Sequence, residues 1–226
     1  MIKTESIVFK DFRRSELGRI IILSCLFSIA LVLFRIVYTQ QILFLGMIWN
    51  LFLAYIPLGL SNYISSHIKN RGRVAFLIVA LIWLLFIPNS FYIITDLFHF
   101  DRRSRFPLWY DLALLFSVAW NGLLMGIISV RQMEVLFEYY FTKRFDLLFI
   151  YPIMVLNALG IYLGRYLRLN SWDIVYNPFK LLRDIIYLFV HPLRNRLDWG
   201  MIICYSLLLT LIYVSLKKLA RAMAES

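Results

Sequence analysis

The sequence predicts an all-α membrane protein: a polytopic transmembrane bundle of about six spans, plus one amphipathic helix that is interfacial or re-entrant. Three observations predict it. Of 226 residues, 62% are hydrophobic, against roughly 45–50% in an ordinary soluble domain, and the mean hydropathy is +0.75. The apolar residues fall in blocks about as long as the roughly 20 residues that cross the hydrocarbon. The blocks are continuous, without the strict alternation of a transmembrane strand. In lipid, only helices and closed barrels satisfy their own backbones.

The elements follow in order. Lys10, Arg13, Arg14 and Arg19 precede the first apolar run. They resemble the charged start of a signal peptide, but the run is long and lacks a small-x-small cleavage site, so it reads as a retained span over residues 20–37. Only Tyr38 to Gln41 separate it from a second span over 42–64. Further spans are predicted over 74–95, 109–130, 147–166 and 199–216. Residues 178–191 are too short and too charged to cross, and their spacing predicts a helix lying among the headgroups. With no repeats and no long linker, the chain reads as one integral-membrane domain.

The charge balance is +11, from 24 Lys and Arg against 13 Asp and Glu. A basic soluble protein would suggest nucleic acid. Here the cations lie between apolar blocks, which points to anionic membrane lipid as the partner and not to nucleic acid. Cys25 and Cys204 fall inside apolar blocks with no metal-ligand spacing, where a thiol behaves as a small hydrophobe. No phosphate loop, serine elbow or zinc motif is present, which argues against a nucleotide-driven reaction within the chain. The cofactor is left unknown. With both termini cytoplasmic, 14 Lys and Arg lie inside and 10 outside, a modest bias by the positive-inside rule. Arg35 is counted among the outer ten.

Gly122 and Gly126 in the fourth span, and Gly160 and Gly164 in the fifth, predict close packing of those two helices. Asn50, Asn62, Asn121 and Asn157 are expected to bond across helices. Pro88 should bend its span, leaving Asn89 to use a freed carbonyl or to bind a ligand.

Two polar segments, 88–99 and 160–173, are separated by two spans and should emerge on one side of the membrane. Ionisable groups at a membrane edge are costly and so are candidates for function. Asp96 and His99, three apart, would share a helix face. They suit acid–base work, or metal binding completed by Asp173 or His191; the plain alternative is that they merely end a span. Asp111 is either a helix-start carboxylate or part of the same polar cluster. Arg165 and Arg168 either snorkel to the headgroups or, with Arg194, clamp a phosphate. Asn170, Trp172 and Asp173 fit a helix cap with an interfacial anchor, or a binding role beside those arginines.

Phe86-x-Pro88-Asn89-x-x-Tyr92-x-x-Thr95-Asp96-x-x-His99, Trp109-Tyr110-Asp111, Trp120-Asn121-Gly122, the run from Gly160 to Asp173 and His191-Pro192 together resemble a bacterial membrane family, domain of unknown function 1361. The resemblance covers roughly residues 74–216. It implies a bacterial integral membrane protein with several spans and carries no activity, substrate or functional residue. The expected function is a site at one membrane face for an anionic lipid or lipid-linked phosphate. The alternatives are an accessory subunit packed against a partner membrane protein or a second copy, and a small-solute transporter.

Overall fold

A computed structural model describes residues 15–42, 44–67, 72–99, 106–141, 147–167 and 178–225, the side chains of residues 99, 147–149, 180 and 225 excepted. Every regular element among them is helical. The chain divides into two units, Met1–Arg144 and Phe145–Ser226, and each is taken by itself.

The first unit holds α1 (Glu16–Thr39), α2 (Leu45–His67), α3 (Arg73–Tyr92), a 3₁₀ segment (Ile93–His99) and α4 (Leu108–Phe141). Ser15 caps α1, its hydroxyl accepting from the Gly18 N–H at 3.1 Å. Gln40, with φ of 54°, ends the helix in the left-handed conformation. α1 and α2 therefore follow each other as a hairpin, with Gln40 ending the first helix and Leu45 starting the second. After Tyr92 the chain tightens to 3₁₀ geometry. The Thr95 hydroxyl donates to the Tyr92 carbonyl at 2.7 Å, competing with the backbone donor that would continue an α-helix.

α4 is the central helix and packs on α1, α2, α3 and the 3₁₀ segment. Polar contacts fix its register. Ser28 meets Ser117 and Asn121, Ser61 meets Ser129 and Gln132, and the Trp83 indole donates to Ser129 at 2.7 Å. These pairs run α4 antiparallel to α1 and α3 and parallel to α2.

One expectation changes here. The fourth span does not stop near residue 130. α4 has 34 residues, about 51 Å at 1.5 Å each, beyond a hydrocarbon core of roughly 30 Å. Its polar tail continues because the bundle satisfies it: Gln132 donates to Asn62 at 2.7 Å, and Arg131 pairs with the fully buried Glu134. The glycines of the fourth span, in turn, meet the end of the third span and the 3₁₀ segment within the first unit. A Cβ on Gly122 would lie 2.7 Å from the Ser90 carbonyl oxygen, and one on Gly126 would lie 2.9 Å from the Phe91 ring.

The second unit holds α5 (Leu147–Arg165), α6 (Pro178–Val190) and α7 (Arg196–Glu225). α5 packs on α7 around Ala158, Tyr162, Leu188 and Ile202. Asp198 lies in the first turn of α7. α1, α2, α3 with its 3₁₀ extension, α4 and α7 are long and apolar enough to cross a membrane, and the apolar part of α5, Ile150–Arg165, is shorter. The protein is a helical membrane bundle.

Candidate functional site

Arg35, Asn50, Asp96 and Asp111 gather at one end of the first unit, where α1 ends, α2 begins, the 3₁₀ segment closes α3, and α4 starts. Arg35 lies inside the last turns of α1 and is 4% exposed, so it is not the outer-segment charge expected. A guanidinium in a membrane bundle must be paired, and its partner is Asp111, 2% exposed, in the first turn of α4. Arg35 Nε donates to Asp111 Oδ1 at 2.8 Å and Nη2 to Oδ2 at 3.3 Å. The fork is bidentate, the strong geometry for this pair. The positive end of α4 adds to the stabilisation of the carboxylate.

Aromatic rings wall the pair from solvent. The guanidinium carbon lies 4.6 Å from the Phe106 ring centre and 5.2 Å from that of Phe44, within cation–π range. Tyr110 stands edge-on to Phe106 at 4.9 Å, and its hydroxyl donates to the Leu31 carbonyl at 2.8 Å. Asp111 is therefore the helix-start carboxylate expected of α4 and, in addition, a buried tie between α1 and α4.

Asp96 is the second buried acid at this end, 1% exposed. Asn50 of α2 donates to its Oδ2 at 2.9 Å. The segment is 3₁₀, in which positions three apart eclipse, so residues 96 and 99 share a register position. The His99 side chain lies outside the described residues. Asn89 turns back into its own helix, donating to the Phe86 carbonyl at 3.1 Å. That carbonyl is not the one Pro88 frees, which belongs to residue 84.

Arg165 ends α5 and is half-buried, while His191 and Arg194 are exposed in the turn before α7. His191 stacks on Tyr187 at 4.7 Å. Arg168, Asn170, Trp172 and Asp173 lie outside the described residues. Among the described residues, no three His, Cys, Asp or Glu side chains are grouped so as to hold a metal ion.

One residue of the site, Arg35, escaped the sequence reading and was counted as a loop charge; Asn50 bonds across to another span as expected, with Asp96 as the unforeseen partner. Arg35 falls two residues inside the predicted first span and Asp111 two inside the fourth. An Arg and an Asp set inside spans that meet at one membrane face are the signal that pairs them.

A family model described as Protein of unknown function (DUF1361) matches residues 49–212. That range includes Asn50, Asp96 and Asp111. No curated protein and no solved structure matches the chain.

Proposed function

The chain belongs to this family, and from that premise we propose that it is a bacterial inner-membrane protein whose first unit uses Asp96 to bind or act on an anionic lipid or lipid-linked phosphate. One observation carries the reading: a carboxyl 1% exposed within a membrane bundle, held in orientation by an amide from another span. A desolvated carboxyl of this kind suits acid–base work on a group brought up to it. His99, one 3₁₀ turn further on, supplies an imidazole for the same task. With both termini cytoplasmic, this end of the unit faces outward. Arg165, Arg168 and Arg194 of the second unit are the phosphate-binding candidates, and they are tested on their own.

Asp96→Asn and His99→Ala are each expected to insert normally and to fail to complement a deletion strain. Full complementation by both variants removes the acid–base role. Loss of function in Arg165→Ala and Arg194→Ala, with insertion intact, would support phosphate binding independently of that result.

A further inference from the structure

We propose that α6 is a docking face for an anionic bilayer surface, with its outer apolar arc sunk at the acyl boundary and its arginines on lipid phosphates. α6 has 13 residues, about 20 Å at 1.5 Å each, too short to cross. At 100° per residue its side chains sort into arcs. Leu181, Ile185 and Leu188 form the inward arc. Leu188 is 2% exposed and packs with Ala158, Tyr162 and Ile202. The Trp199 indole donates to the Leu188 carbonyl at 3.1 Å, fixing the helix to the first turn of α7.

The neighbouring arc is largely uncovered by the described residues, Trp199 touching it only at Phe189, edge-on at 5.0 Å. Phe179, Leu182, Ile186, Phe189 and Val190 span about 100° of the helix and are 50–85% exposed. Leu193 and Leu197 extend the apolar surface at 89% and 82% exposure. An apolar surface of this kind marks an interaction site.

Charge selects the occupant. Residues 178–197 carry Lys180, Arg183, Arg194 and Arg196 against Asp184 alone. Arg183 flanks the apolar arc with its side chain 77% exposed, its Nε 3.7 Å from Asp184. Arg194 and Arg196 are exposed beside Leu193 and Leu197. Apolar residues buried to the headgroup boundary with cations beside them are the pattern of an interfacial helix on anionic lipid. The helix leads through the turn at 191–195 directly into α7, a span, which holds it at the membrane edge. This inference stands without the role assigned to Asp96.

The test uses the full chain, with Cys25 and Cys204 replaced by alanine, in nanodiscs of zwitterionic lipid with or without phosphatidylglycerol. A fluorophore on Ile186→Cys is expected to be quenched by acyl-chain spin-labelled lipid and not by aqueous iodide. A label on Arg183→Cys should show the weaker lipid quenching of the two. In an Arg183→Ser, Arg194→Ser, Arg196→Ser variant, the preference for phosphatidylglycerol among co-purified lipids should fall at least about fivefold, the loss expected for even one surface cation. Iodide quenching at 186 overturns the proposal. So does a label at 186 shielded from both quenchers, which would assign the face to a protein partner or a second copy. Unchanged lipid preference in the triple variant overturns the anionic selectivity.

Discussion

At the scale of single residues, the buried charges differ in what they can do. Arg35 and Asp111 cancel each other in a bidentate pair under aromatic rings. Removing one partner leaves an uncompensated buried charge, which typically costs about 3–5 kcal/mol. Arg35→Gln and Asp111→Asn are therefore each expected to lower stability by that order in equilibrium unfolding of the detergent-solubilised protein. Replacing both with apolar residues of similar volume should recover much of the loss, because no orphan charge remains. Asp96 with Asn50 is expected to behave differently. Asn50→Ala removes a neutral donor, so its stability effect should stay near the 1–3 kcal/mol of one lost buried hydrogen bond, and the same unfolding measurement checks it. The Asp96 carboxyl was legible as a candidate because an ionisable group at a span end stands out in an apolar sequence. Its tie to Asn50 was not, because a spacing of 46 residues contains no geometric information.

At the scale of elements, backbone proximity decides which glycines matter. A Cβ on Gly122 would press on a backbone carbonyl oxygen at 2.7 Å and on Ile93 at 2.9 Å. Gly122→Ala must push α4 away from the end of α3 and is expected to cost about 1–3 kcal/mol, as overpacking does. Gly46 and Gly200 sit in helices with nothing within 4 Å of a built Cβ. Gly46→Ala and Gly200→Ala should be neutral, or stabilising by about 0.5–1 kcal/mol, since alanine loses less backbone entropy in a helix. Comparing the three variants in one unfolding series checks both claims. The motif Gly122-x-x-x-Gly126 was visible in the sequence, but its partner helix was not. A small-residue stripe says that a backbone can come close and does not say whose. The length of α4 was misread for a related reason. Arg131, Gln132 and Glu134 look like the end of a span until Asn62 and Ser61 are placed beside them.

At the scale of the whole molecule, the alternation of helices in the first unit sets which segments share a compartment. The end of α1 and the start of α4 lie at one end, and the end of α2 lies at the other. In a background without Cys25 and Cys204, thiols from Ile42→Cys and Pro107→Cys are expected to react with an impermeant maleimide from the same face. A thiol from His67→Cys should react from the opposite face. Reaction of 42 and 107 from different faces would dismantle the unit described here.

By itself, the sequence determined that the chain is helical, that it lives in a membrane, and where most of its spans and its short amphipathic helix begin. Those features follow from local apolarity and residue spacing, which lipid reads one segment at a time. Only the tertiary structure decided that Arg35 belongs to Asp111, that Asn50 holds Asp96, that the fourth span's glycines serve the third, and which arc of α6 is left bare. Each of these depends on residues far apart in the chain meeting at a few ångströms, where desolvation makes a polar partner mandatory and a single methyl group an obstruction.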